Sequence, residues 1–300
     1  NFILCILPNN KIVGILGFIP INQFSQKINF KNAAWLSMWI NNNKIKSSGI
    51  GIGMINYLQN KIGIKDILNI GLNDNVLPLF KYLKYKTGIL NHNLIINNQI
   101  KKFVILGNYK SQKKKHKSYS INKNYQLKEL NLKNFKLYYE KNKKKIFLSS
   151  PVKNLDYILN RYIKHPRYDY KVYTVYKDDK PCNALFVVRK IFYKNSNILR
   201  IVDYQGNEKI LMKLNFSIQN LMYKENSEYI DFLQYGISKS ILRKAGFISN
   251  INNKKIIIPN HFEPFIKKNI PLNYAYLTSK KNKKIYFFKA DGDQDRPNTI

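Results

Sequence analysis

No apolar run in this 300-residue chain approaches the roughly 20 residues that a membrane-spanning helix needs. The first residues also lack the basic-then-apolar order of a secretory signal. Cysteine is nearly absent: Cys5 and Cys182 sit far apart in strand-like stretches, which excludes a disulfide scaffold and fits a reducing cytoplasm. The four histidines show no metal-ligand spacing, so no metal is expected. Acids are scarce as well, 17 against 52 Lys and Arg for a net charge of +35, and residues 1–128 hold only Asp66 and Asp74. Such a charge ordinarily points to nucleic acid. Only six of the basic residues are arginine, however, and arginine carries most base reading and bidentate phosphate clamping. The lysine clusters at Lys113–Lys117, Lys143–Lys145 and Lys280–Lys284 fall in predicted loops and read as solvated surface. A sequence-specific nucleic-acid partner is therefore not expected, while anionic small molecules are.

What the chain does have is concentrated between Trp35 and Gly53. An apolar run, Trp35-Leu36-Ser37-Met38-Trp39-Ile40, leads into Lys46-Ser47-Ser48-Gly49-Ile50-Gly51-Ile52-Gly53 and then a helical pattern. Three glycines at alternate positions allow a tight turn with outward amides, and a helix starting there adds its positive dipole end. This is a phosphate pocket. It is not that of a nucleotide P-loop, because Met54-Ile55 stand where Lys-Ser/Thr would follow Gly53. Nor is it that of a dinucleotide fold, which places an acid about 20 residues on.

The pattern Lys46-x-x-Gly49-x-Gly51 after a strand resembles the acyl-coenzyme A pyrophosphate loop of the GNAT N-acetyltransferase superfamily. The neighbouring elements agree. Phe2 to Leu7, a Pro8-Asn9-Asn10-Lys11 turn and Ile12 to Ile19 read as a β-hairpin; Ile50, Met54, Tyr57, Leu58 and Ile62 fall at helical spacing; Ile67 to Leu72 reads as a short strand. Asn73 and the stretch Leu77 to Gly88 resemble the family's second coenzyme segment. The resemblance implies that acetyl-coenzyme A lies on the edge of the strand Leu36, Met38, Ile40, with its phosphates on Lys46, Ser47, Ser48, Gly49, Gly51 and Gly53. It implies further contacts from Asn73 and Phe80. Two departures stand out. The family's closing Gly-Phe is Lys84-Tyr85, and its general-acid tyrosine, five residues earlier, is Phe80. Tyr82 is carried as a candidate acid, although it lies two positions on, about 200° around a helix, and cannot simply take that place.

After a polar, lysine-rich stretch the order of elements repeats. Tyr170 to Tyr176 and Ala184 to Ile191 form another hairpin, Ile198 to Tyr204 another central strand, and Ile210, Leu214, Ile218 and Leu221 another helix. This second copy carries Gly246-Phe247, yet has Asp203-Tyr204-Gln205-Gly206-Asn207-Glu208 where the phosphate loop would be. The fold expected is α/β (α+β): two tandem GNAT-like domains, each a mixed, mostly antiparallel twisted sheet flanked by helices. The domains are expected at 1–110, binding acetyl-coenzyme A, and 125–300, lacking the phosphate loop, joined by a basic linker at 111–124. The chain begins with Asn1 rather than Met, and the first domain is expected to be truncated at its N-terminus. With so few acids in the first copy, Asp203 and Asp231 are the candidate general bases, and His92 reads as a strand-end or loop histidine. The tail Asp291-Gly292-Asp293-Gln294-Asp295-Arg296 lacks the spacing of a calcium loop, but its carboxylates suit sugar hydroxyls or an amine. The expected function is acyl-coenzyme A-dependent N-acetylation of an amino sugar or sugar nucleotide in bacterial surface-glycan biosynthesis. A non-catalytic acyl-coenzyme A or glycan-binding protein and a basic nucleic-acid-binding protein are the alternatives.

Overall fold

The computed structural model describes residues 1–42, 49–109, 122–142, 151–249, 256–261, 266–279 and 284–295. The chain divides into two compact units that are not contiguous halves. Unit 1 is Asn1–Ile89 with Leu272–Lys284 and Asp291–Asp295; unit 2 is Leu90–Pro271 with Ile285–Ala290 and Arg296–Ile300. The boundary expected at residue 110 thus gives way to one at 89–90, and two tail segments belong to unit 1.

In unit 1 a six-stranded mixed sheet carries β1 (Phe2–Ile6), β2 (Ile12–Pro20), β3 (Ala33–Asn41), β4 (Asp66–Leu72), β13 (Asn273–Leu277) and β5 (Lys86–Ile89), in that order across the sheet. The β1–β2 hairpin turns through Asn10 in the left-handed region, a conformation that asparagine tolerates. Helix α1 (Ile50–Asn60) buries Gly51, Met54, Ile55 and Leu58 against the sheet, the i, i+3, i+4, i+7 stripe of an amphipathic helix. Tyr57, assigned to that stripe from sequence, is exposed instead. Helix α2 (Leu77–Tyr82) is followed by Lys84 at φ +62°, and the Tyr85 amide bonds back to the Phe80 carbonyl at 2.9 Å. Unit 2 repeats this end: Gly246 sits at φ +91° and the Phe247 amide reaches the Leu242 carbonyl at 3.0 Å. The left-handed turn accounts for the glycine at this position in unit 2. Lys84 adopts the same turn without being glycine.

Unit 2 holds β12 (Ile248–Ser249), β6 (Asn91–Ile96), β11 (Tyr229–Tyr235), β10 (Ser196–Gly206), β9 (Lys180–Tyr193), β8 (Tyr170–Lys177) and β7 (Tyr125–Leu130) in spatial order, with β14 (Phe287–Phe288) on β11. Its helices are α3 (Leu132–Asn142), α4 (Leu155–Ile158, continued by a π turn to Ile163), α5 (Glu208–Leu211), α6 (Asn215–Lys224) and α7 (Lys239–Lys244). The repeated order of hairpin, central strand, helix, strand and short helix is present in both units. Its core runs from Val188 and Ile201 through Leu214 and Ile218 to Phe247.

One strand of each sheet comes from a distant stretch of chain. Strand β13 pairs antiparallel with both β4 and β5, although about 180 residues separate it from β5. Strand β6 follows β5 directly, yet pairs with β11 and β12. Carboxylates hold both strands. Asp66 accepts from Thr278 Oγ1 at 2.9 Å and the Ser279 amide at 3.2 Å, and Asp74 accepts from Asn273 Nδ2 at 2.7 Å. Buried Glu228 accepts from the amides of Val104, Ile105 and Leu106, just beyond β6, and from Ser196 Oγ. Hydrogen bonds to charged groups contribute about 1.5–3 kcal/mol each. The segment 1–110 alone would lack β13 and the segment 125–300 would lack β6. Each expressed separately is expected to lose its cooperative urea transition; a cooperative transition in 1–110 by itself would contradict the exchange.

Candidate functional site

Strands β3 and β4 run parallel but pair over only three residues, Ala33 with Asp66, Ala34 with Ile67 and Trp35 with Leu68. Beyond Trp35, β3 keeps its antiparallel partner β2 as far as Asn41, and β4 keeps β13. The two strands therefore diverge, and among the described residues the β3 edge from Leu36 onward has no strand partner on the β4 side. A bulge drives the divergence. Leu16 faces Trp39 and Phe18 faces Leu36, so Ser37 and Met38 of β3 together stand opposite the single Gly17 of β2, and such an insertion bends its strand. Met38 and Ile40 are exposed along this edge, whereas the Leu36 side chain is buried in the core and offers only its backbone.

At the far end of the divergence α1 begins at Gly49, which has no side-chain cap and no acid in the first turn that follows. Among the described residues the first helical bond of α1 is that of the Gly53 amide to the Gly49 carbonyl, at 2.8 Å. The glycines divide into two kinds. A side chain at Gly49 or Gly53 would meet nothing within 4 Å, whereas one at Gly51 would overlap the Trp39 indole. Gly51 is thus required for packing against Trp39, while among the described residues nothing stands over Gly49 or Gly53. Lys46, Ser47 and Ser48 lie outside the described residues.

The remaining residues of unit 1 are distributed as follows. Asn73 is exposed and caps the turn before α2, accepting from the Asn75 amide at 3.2 Å. Phe80 is 0 % exposed, packed edge-on to Trp39 and Tyr85 with centroids 6.3 and 5.0 Å apart. It offers no surface to a ligand, which corrects its assignment as a contact; it supports Trp39 instead. Tyr82 is 80 % exposed, on the opposite side of α2 from Phe80, as their two-residue spacing dictates. Burial raises the pKa of the Tyr85 phenol, and its hydroxyl has no hydrogen-bond partner among the described residues.

Sequence reasoning missed where the acidic tail goes. Ser37 Oγ donates to Asp293 Oδ2 at 2.9 Å, Gly292 lies over Trp35, and Gln294 packs on Gly71 of β4. Residues 292–294 therefore touch β3 and β4 just past the point where their pairing stops. Asp293 is half-buried and also accepts from Gln294 Nε2 at 2.9 Å. The tail's acidity was legible; its contact with a serine 256 residues away was not.

In unit 2 the corresponding strands also pair briefly, Leu199 with Ile230 through Ile201 with Phe232. Here the gap is filled by the chain. Strand β14 pairs with β11 through Gln234–Phe288 and Tyr235–Phe287, and the Ala290 amide donates to the Val202 carbonyl at 2.9 Å. Phe288 stacks on Phe232 at 5.7 Å. The two sequence-predicted bases lie in this unit, and neither is an accessible base. Asp203 is fully buried, paired with buried Lys153 at 2.7 Å and accepting from Tyr162 Oη and from Gln205 Nε2 at 2.9 Å. Lys153 in turn lies 5.3 Å from the Phe288 ring centroid. Asp231, equally buried, accepts from Arg200 Nε at 3.0 Å and Nη2 at 2.9 Å and contacts His92 Nε2 at 2.8 Å. Burial alone would raise the Asp231 pKa, but Arg200 and His92 hold it below the ordinary carboxylate value. The pKa of His92 is lowered, chiefly by burial. The Asp231 charge opposes that shift, but it is already shared with Arg200.

His92, near the start of β6 as its strand-end reading expected, thus belongs to a largely buried charge cluster. Its folded-state pKa lies below the unfolded value of 6.5, so on acidification the unfolded chain takes up the proton first. Stability is expected to fall as pH drops below 6.5, and His92→Gln to flatten that slope in urea titrations at successive pH values. An unchanged slope would assign the effect to other groups.

No protein-family model and no curated protein matches the chain. Among solved structures, a GCN5-related N-acetyltransferase from Anabaena variabilis aligns with 94 % of this chain and 64 % of its own, at 13 % identity and a TM-score of 0.51. Another from Sphaerobacter thermophilus aligns with 92 % of this chain and 80 % of its own, at 7 % identity and a TM-score of 0.43. Saccharomyces cerevisiae N-myristoyltransferase with bound myristoyl-CoA aligns with 97 % and 68 %, at 12 % identity and a TM-score of 0.46. The first of these carries the fold assignment: the chain has the GCN5-related N-acetyltransferase fold. It spans just under two thirds of the Anabaena protein's length.

Proposed function

We propose that the protein is an acyl-coenzyme A-dependent N-acetyltransferase whose chemistry takes place in unit 1. The observation that carries this reading is the β3–β4 divergence, which leaves a free strand edge running toward an acid-free helix N-terminus. Pantetheine amides would pair with the edge from Leu36 to Ile40, and the coenzyme phosphates would accept from the first amides of α1, with Lys46 as their counter-charge. The Met38 amide would polarise the thioester carbonyl.

Asp66 and Asp74, the two acids of residues 1–128, are engaged in holding β13. Of the tail acids in unit 1, Asp291 and Asp295 are buried and Asp293 is half-buried beside β3, so Asp293 is the base: held by Ser37, it takes the proton that the acceptor ammonium loses as nitrogen attacks the carbonyl carbon. The tetrahedral centre then collapses, the carbon–sulfur bond breaks, and the thiolate leaves. With Phe80 in place of a phenol, water supplies any proton the sulfur takes up. Asp293, Gln294 and exposed Asn41 give the cleft carboxylate and amide groups that suit a hydroxyl-rich amine. That supports an amino sugar or sugar nucleotide as acceptor, as in bacterial surface-glycan synthesis in the cytoplasm. No helix among the described residues is long and apolar enough to cross a membrane. Phe80 favours one second reading, a binding protein without turnover.

Two variants test the assignment. Gly49→Asp enters open space and places a negative charge at the α1 N-terminus, which stabilises a free helix by about 0.3–1 kcal/mol. It is expected to raise the melting temperature slightly and to weaken acetyl-coenzyme A binding, measured by calorimetry, by about tenfold or more. Unchanged affinity would remove this loop from the site. Asp293→Asn keeps an acceptor for Ser37 but cannot take a proton. Its kcat/KM is expected to fall about 10²-fold or more, with the loss shrinking at high pH, where the amine is already neutral, and with acetyl-coenzyme A affinity preserved. Equal activity at neutral pH would show that Asp293 is not the base.

A further inference from the structure

Strands β1, β2 and β3 carry no charged residue, although 23 % of the chain is charged and strands elsewhere put lysine into water, as Lys86 does on β5 and Lys128 on β7. Register shows which of their side chains share a face. Antiparallel partners point the same way and neighbours along a strand point opposite ways, so Leu4, Ile15 and Ile40 form one row across the three strands. A side chain at Gly17 would meet Phe2 at 3.3 Å and Met38 at 3.4 Å, which makes Phe2, Gly17 and Met38 a second row beside the first. Helix α1 lies on the other face, because a side chain at Gly14, the neighbour of Ile15, would meet Ile50 and Met54.

The acidic tail covers part of this apolar face and stops. Ile19, two residues on from Gly17, pairs with Trp35, so Trp35 belongs to the same face; Gly292 lies over its side chain, and Trp35 is 1 % exposed. Asp293 follows, held at Ser37. Past that point Met38 and Ile40 are 40 and 51 % exposed, Leu4 47 % and Phe2 62 %. Apolar side chains gathered uncovered over three strands mark an interaction surface. This one begins beside the carboxylate to which the acceptor amine is assigned.

We propose that this face holds the apolar end of the acceptor, an amino sugar carried on an alkyl chain. The ammonium would lie at Asp293, the sugar beside Gln294, and the chain across the two rows from Met38 toward Leu4. Three strands about 4.8 Å apart span about 10 Å, which an octyl chain matches. The coenzyme would take the main chain of the β3 edge, and the acceptor the β3 side chains on this one face. A second copy of the chain fits the face less well, since two molecules of net charge +35 repel. The proposal rests on the reading of Asp293 as the base and names the class of molecule that brings the amine to it.

The test is calorimetric titration of the full-length protein, in the presence of coenzyme A, with octyl glucosaminide, methyl glucosaminide and octyl glucoside, each below its micelle concentration. Octyl glucosaminide is expected to bind ten or more times tighter than methyl glucosaminide, since each buried methylene adds about fourfold, and tighter than octyl glucoside, which lacks the amine. Phe2→Thr and Leu4→Thr, both at exposed positions, are each expected to cut the octyl preference threefold or more while leaving the affinities for methyl glucosaminide and acetyl-coenzyme A unchanged. The proposal is overturned if the two glucosaminides bind alike, if neither binds, if octyl glucoside binds as tightly as its amine, or if both substitutions leave the preference intact. Preferential binding of octyl glucosaminide without its acetylation would keep the acceptor face and sink the transferase reading instead. Acetylation of both glucosaminides with equal kcat/KM would do the reverse.

Discussion

Two parallel strands that pair for three residues and then part leave a row of main-chain donors and acceptors that something else must satisfy. Backbone polar groups left unpaired away from water cost about as much as a lost hydrogen bond each. In unit 1 the divergence after Trp35 opens to solvent at Met38 and Ile40, an edge ready to pair with an extended, amide-bearing ligand. In unit 2 the same divergence after Ile201 is closed by the chain's own residues 287–290. In unit 1 residues 292–294 reach only the start of the divergence, at Ser37 and Gly71, whereas in unit 2 residues 287–290 pair into it. That difference, more than the loss of glycines, is why the proposed coenzyme site is placed in unit 1.

The same tail accounts for much of the rest. Residues 273–277 complete the unit 1 sheet, 287–290 close the unit 2 divergence, and 291–295 return to Ser37 and Gly71 in unit 1. The scarcity of acids then takes on a structural meaning. Asp66, Asp74 and Glu228 hold the exchanged strands or the chain beside them, while Asp203 and Asp231 neutralise buried cations. Removing one partner of such a pair leaves an uncompensated buried charge, typically a loss of about 3–5 kcal/mol. With those acids committed to architecture, half-buried Asp293, bonded to Ser37 and Gln294 at the mouth of the divergence, is the carboxylate to which the proposal gives the chemistry.

The hairpins, the central strands and the repeated order of elements were legible in the sequence because they are local: period-2 apolar runs, turn residues and 3.6-residue stripes within a dozen positions. The strand exchange was not, because Asn91–Ile96 reads as a strand whichever sheet receives it, and nothing in its pattern names β11 as its partner. The site was legible to the same depth. The glycines announced an anion-binding turn, yet which of them is there for packing depended on Trp39, whose ring position cannot be read from its spacing. Asp203 and Asp231 were chosen for lying near the ends of central strands. Their burial follows from β10 and β11 being flanked on both sides, and their cationic partners, Lys153 and Arg200, lie 50 and 31 residues away.

The central claim, that one divergence is open and the other is filled, is tested most directly by amide hydrogen exchange on the intact protein with and without saturating acetyl-coenzyme A. The account predicts fast exchange at cleft-facing amides of β3 between Ser37 and Asn41, marked protection there when the coenzyme is added, and slow exchange in β14 and the adjoining part of β10 in both states. Unchanged exchange in β3 with coenzyme present, or protection appearing in β10 instead, would contradict it.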